Sequence, residues 1–94
     1  MRRKIGEILT EEQILGQLME ECAELIQAAH KVIRDRQGMN KPHGGGNYIA
    51  QVEEEAADVI ACISQLSSVS IETIDLICDE KLARWEKRLN EEGD

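Results

Sequence analysis

Two runs of carboxylates carry the spacing that chemistry needs: Glu20-Glu21-Cys22-Ala23-Glu24 and Glu54-Glu55-Ala56-Ala57-Asp58. Each contains a pair three residues apart, Glu21/Glu24 and Glu55/Asp58, and residues at that spacing are neighbours on one face of a helix. One such pair alone reads as a solvated face. Two pairs read differently because each lies on the same flank of its own segment's apolar stripe, with Glu21 and Glu55 at the stripe's edge. Antiparallel helices packed stripe to stripe are related by a two-fold axis perpendicular to both, which keeps like flanks on the same side. Both pairs are therefore expected to face one groove. Carboxylates gathered there repel one another, and a hard divalent cation relieves the repulsion. An all-oxygen ligand set suits Mg²⁺, which keeps several waters and bridges to phosphates. A di-iron bundle also uses helix-borne carboxylates but needs Glu-x-x-His pairs. Here His30 follows Gln27 and His43 falls in a loop, so that reading is set aside.

The elements that must position these residues are helices. Thr10, with Gln13 three residues on, has the pattern of a capping box, and opens a helix expected from about Glu11 to Arg36. Within it Ile14, Leu15, Leu18, Met19, Cys22, Leu25, Ile26, Ala29, Val32 and Ile33 recur at three-and-four spacing. At about 100° per residue they form one apolar stripe. The only proline and most of the glycines gather in a loop over 37–47. A second helix, with Asn47 as its cap, is expected to run to about Leu66 on a stripe of Tyr48, Val52, Ala56, Val59, Ile63 and Leu66. After a break at Ser67–Ser70, a third helix is expected to turn Ile71, Ile74, Cys78, Leu82, Trp85 and Leu89 inward. Residues 3–9 have room for a short extra turn. The expected fold is a single all-α domain over 1–94, a small bundle of three main helices completed by association with further copies.

Composition supports this frame. The chain has 94 residues, and a domain of that size buries only roughly 60–65% of its unfolded surface. Phe is absent, and there is one Trp and one Tyr, so the core is aliphatic, which suits helix packing. With 19 acidic against 11 basic residues the net charge is −8. Duplex nucleic acid, bound by neutralising its phosphates with Lys and Arg, is excluded as a partner on that basis. A small phosphate-bearing ligand remains compatible when a cation mediates. Cys22, Cys62 and Cys78 fall on apolar stripes without CxxC pairing and read as small core residues in a reducing compartment. Met1-Arg2-Arg3-Lys4 has the charge of a signal-peptide start, but no apolar stretch of 7–15 residues follows. No run approaches the ~18 apolar residues of a membrane span. A cytoplasmic protein with no membrane association is expected.

The motif Glu20-Glu21-x-x-Glu24, followed after a loop by Glu55-x-x-Asp58, resembles the EExxE…ExxD signature of the MazG-like all-α nucleoside triphosphate pyrophosphohydrolases. The resemblance runs from about Leu15 to Leu89 and includes a late basic helix with Lys81, Arg84 and Arg88. It is to a single-domain, phage-type form. It implies Mg²⁺ held by Glu21, Glu24, Glu55 and Asp58, and hydrolysis of a nucleoside triphosphate to monophosphate and pyrophosphate. It also implies a homodimer or homotetramer that shares helices across the site. Phosphoribosyl-ATP pyrophosphohydrolases carry related acidic motifs and are the rival within the superfamily. In metal-assisted hydrolysis a carboxylate not consumed as a ligand accepts the water's proton, and Glu20 and Glu54 are the candidates for that catalytic role. On the third helix Lys81, Trp85 and Arg88 share a flank and are the candidates for phosphate and base binding. Basic residues late in a helix also complement its dipole, and a lone Trp on an apolar stripe is commonly core. His43 and Gly44–Gly46 lack the strand-to-helix setting and GK[ST] of a P-loop. The competing reading from another class is a non-catalytic helical oligomerisation module whose acidic pairs are merely solvated.

Overall fold

A computed structural model describes residues 4–38 and 48–92. The described residues form four helices and no strand: α1 (Lys4–Ile8), α2 (Glu11–Arg36), α3 (Tyr48–Gln65) and α4 (Ile71–Glu92). The short extra turn expected near the N-terminus is α1. Asn47, His43 and Gly44–Gly46 lie outside the described residues.

Local chemistry sets the helix ends. Thr10 leaves the helical region at φ −71°, ψ 159°. Its Oγ1 accepts from the Gln13 amide at 3.1 Å, while the Thr10 amide donates to Gln13 Oε1 at 2.9 Å. Two amides that a helix start would leave unpaired are thereby satisfied. At the far end Gly38 takes φ 80°, a left-handed conformation that favours glycine, and its amide donates to the Asp35 carbonyl at 2.9 Å. Ser70 caps α4, its Oγ accepting from the Thr73 amide at 3.2 Å.

Helices α2 and α3 pack against each other along their length, and α1 rests on α3. The pairing is antiparallel: Glu11 meets Ser68 just beyond α3, whereas Glu24, further along α2, meets Glu55 in the first half of α3. The Glu11 carboxylate accepts from the Ser68 amide at 3.0 Å and from its hydroxyl at 2.7 Å, which ties the α3–α4 turn to the first turn of α2.

The core is small: among the described residues, Ile14, Ala28, Val32 and Leu66 are the buried hydrophobic ones. The expected α2 stripe separates into two rows. Ile14, Leu18, Leu25 and Val32 turn toward α3, joined by Ala28 and by Glu21. Leu15, Met19, Ile26 and Ile33 stay exposed, because one partner helix covers only one side of so wide a stripe. The α3 stripe is half-buried as expected.

Helix α4 corrects an expectation. Ile71, Ile74, Cys78, Leu82, Trp85 and Leu89 do not turn inward; every residue of α4 is exposed, and no other helix packs substantially on it. Cys22 is exposed as well, and Cys62 is only half-buried, so the cysteines are free thiols rather than core residues. The radius of gyration is 17.1 Å, against about 12 Å for a compact domain of this length. The accessible surface is 7737 Å², against about 5,500 Å² for a compact monomer of this mass. A single chain thus leaves exposed apolar surface that an ordinary monomer would bury. No described helix is long and apolar enough to cross a membrane.

Candidate metal centre

The antiparallel pairing of α2 and α3 sets the two acidic pairs opposite each other. Glu21 and Glu24 from α2 and Glu55 and Asp58 from α3 each offer a carboxylate oxygen, and these oxygens all lie within 4.8 Å of one another. This is the common groove expected from the shared flanks. Glu21 and Glu55 sit at its half-buried side, Glu24 and Asp58 at its exposed side. The alternation follows from the helical spacing, since the first member of each pair lies against the apolar row and the second one turn toward solvent.

Two observations show a donor set that the chain itself does not satisfy. The Oε2 atoms of Glu21 and Glu55 are shielded from solvent and have no hydrogen-bond partner, although buried carboxylate oxygens ordinarily find one. On the α2 side, Glu21 and Glu24 also hold their protons above the ordinary carboxylate range. The largest influence on Glu21 is a hydrogen bond from Gln17 Nε2 at 2.7 Å, which favours the charged form. Desolvation, the charges of Glu24 and Asp58 and a hydrogen bond shared with Asp58 outweigh it, and the Glu21 pKa is raised. Glu24 is raised chiefly by the hydrogen bond it shares with Glu55 and by the charge of Glu55, then by desolvation. Nearby on α3, burial followed by the charges of Glu21 and Asp58 pushes the Cys62 thiol up. The field in the groove is negative throughout, and the donors are all hard oxygens. The residues fit a hard divalent cation, whose charge would replace the shared protons and satisfy the orphaned oxygens.

The other candidates stand apart from this cluster. Glu20 and Glu54 are exposed and do not belong to the group of four. Each precedes a cluster residue by one position and so points about 100° away around its helix. Lys81, Trp85 and Arg88 do lie together, with Arg84, Lys87 and Glu91, around a shallow depression on α4. They come from that helix alone, and the fold of a single chain does not pack them on the carboxylates. Gln17 is the functional neighbour that the motif did not single out. Its signal was present as a glutamine four residues before Glu21, a spacing at which amide and carboxylate side chains meet.

Fold and site together define a helical protein whose central antiparallel pair presents a four-carboxylate cluster able to hold a metal ion. Compared with protein-family models, curated proteins and solved structures, the chain matches none.

Proposed function

We propose that the chain is a Mg²⁺-dependent hydrolase that splits a nucleoside triphosphate between the α- and β-phosphates, releasing monophosphate and pyrophosphate. The observation that carries this reading is the convergence of Glu21, Glu24, Glu55 and Asp58 with two shielded, unpartnered oxygens. Bound there, Mg²⁺ would neutralise phosphate oxygens and lower the pKa of a coordinated water. The four carboxylates hold the cation, and Gln17 fixes the Glu21 carboxylate. Glu20 and Glu54, exposed and each one position before a cluster residue, are the residues assigned to accept a proton from water. The reaction class comes from the resemblance of the paired motif to MazG-like enzymes.

Assembly belongs to the same reading. The uncovered α2 row and the whole of α4 suit a homodimer or homotetramer, and the excess of accessible surface over a compact monomer, roughly 2,000 Å² per chain, exceeds the roughly 800 Å² that each partner of a standard interface buries. In such an assembly α4 of another copy would bring Lys81, Trp85 and Arg88 to the triphosphate. The exposed stripe of α4 equally favours the second reading, a non-catalytic oligomerisation module.

Incubation of a deoxynucleoside triphosphate with the protein and Mg²⁺ distinguishes the two. Monophosphate and pyrophosphate should appear in equal amounts with no diphosphate, and Glu21→Gln or Glu55→Gln should each abolish the release while leaving the helical circular dichroism intact. Diphosphate and free phosphate, both lost in those variants, would mean a different bond is cleaved. No turnover of any nucleotide, phosphoribosyl-ATP included, would leave the module.

A further inference from the structure

Helix α4 leaves the α2–α3 pair through a corner at 66–70 whose internal ties are few. Leu66 is buried and Ser70 caps the helix that follows, but the corner's own backbone bond, from the Val69 amide to the Leu66 carbonyl, is long at 3.5 Å. Firmer contacts come from outside it. Glu11, the first residue of α2, grips Ser68 with both carboxylate oxygens: Oε1 accepts from the amide at 3.0 Å and Oε2 from the hydroxyl at 2.7 Å. Just ahead of the corner, Gln65 Oε1 accepts from the Gly6 amide of α1 at 3.2 Å. The junction of α1 and α2 thus clasps the junction of α3 and α4, across 59 and 57 positions of sequence. Along α4 itself every residue is exposed, and no other helix packs substantially on it, so its direction rests on this corner. The lever is long. Arg88 lies 18 residues beyond Ser70, about 27 Å at the helical rise, and a swing of about 10° at the corner moves it about 5 Å.

We propose that Glu11 is the positioning residue that sets the angle of α4, so that the helix is presented to a second copy of the chain in one direction. The inference rests on the assembly reading for what α4 meets, while the angle itself belongs to the single chain. Without the grip on Ser68, α4 samples several directions and only the fraction in the right one can dock. The apparent dissociation constant of the assembly then rises by the inverse of that fraction.

Pulsed electron paramagnetic resonance reads the angle within one chain, with spin labels at Cys22 and at Lys87→Cys, Cys62→Ser and Cys78→Ser to remove the other thiols, and an excess of unlabelled chain. The parent should give one narrow distance distribution. Glu11→Ala and Ser68→Ala should each broaden it, and Glu11→Gln, which keeps one accepting oxygen, should fall between. The double variant should be no broader than the worse single one, because both substitutions remove the same contact. Sedimentation over a dilution series should show self-association weakened roughly five- to tenfold in Glu11→Ala, as the loss of a hydrogen-bonded tie predicts, with the helical circular dichroism unchanged. A distribution that is broad in the parent, or that Glu11→Ala and Ser68→Ala leave narrow, overturns the proposal. Should Glu11→Ala fail to fold, Ser68→Ala and Glu11→Gln decide the matter by the same reading. A parent that sediments as one chain, yet loses its narrow distribution in the variants, sinks the assembly reading and upholds Glu11 as the determinant of the angle.

Discussion

Replacing Gly6 with alanine pits two local effects of known size against each other. A Cβ at position 6 would lie 2.8 Å from the Gln65 carbonyl oxygen, where ordinary contact begins at 3.4 Å. Helix α1 would have to withdraw by about 0.6 Å. The Gly6 amide already donates to Gln65 Oε1 at 3.2 Å, so that bond would pass beyond useful length. Alanine gains ~0.8–1.0 kcal/mol over glycine in helix propensity. Against this stand one hydrogen bond, net about 1 kcal/mol, and the partial burial of Ile5 and Leu9, which remain 50% and 39% exposed. Full burial of such side chains is worth ~1.5–3 kcal/mol, so each contributes about 1 kcal/mol here. Release of α1 also returns backbone entropy, which offsets part of that loss. Docking of α1 is therefore close to balance, and the clash tips it toward release rather than stored strain. The Gly6→Ala chain should melt within about 10 °C of the parent, since 1 kcal/mol moves a domain of this size ~4–8 °C. Hydrogen exchange should meanwhile show loss of protection at the Leu9 amide, which donates to the Ile5 carbonyl at 2.9 Å. A variant that melts higher and keeps Leu9 protected would refute the seating of α1 on α3.

Three further outcomes are expected. Mg²⁺ at a hundredfold excess over its dissociation constant should stabilise the fold by about 2.7 kcal/mol, raising Tm by roughly 10–20 °C over an EDTA control. Glu24→Gln or Asp58→Asn should shrink that difference, and identical melting curves would remove the metal site. Because Glu21 and Glu24 titrate above their ordinary value of 4.5 in the folded chain, the fold binds more protons than the unfolded chain above that pH. Metal-free stability should then fall as pH rises from 4.5 through the raised values and level off beyond them, whereas stabilisation by Mg²⁺ should grow over the same interval. Melting in EDTA across that range checks the first trend, and a Glu24→Gln chain with an unchanged slope would contradict its assignment to the cluster. Light scattering should return a multiple of the 10.6 kDa chain mass at micromolar concentration, and the mass of one chain would contradict assembly through α2 and α4.

What the sequence determined by itself is local or follows from helical symmetry. The Thr10/Gln13 capping box and the ten-residue stripe place α2 at Glu11–Arg36, because both signals act within a few residues. The meeting of Glu21 and Glu24 with Glu55 and Asp58 was legible because an antiparallel pair keeps like flanks together whatever its packing details. Tertiary structure decided the rest. The stripe on α2 is wider than one partner can cover, so only packing against α3 selected Ile14, Ala28 and Val32 for burial and left Met19 and Ile26 outside. The amphipathic pattern of α4 announces that one face wants a partner but not whose, and among the described residues no helix packs substantially on it. Periodicity specifies which side chains share a face, while the occupant of that face depends on contacts between residues far apart in the chain or between chains.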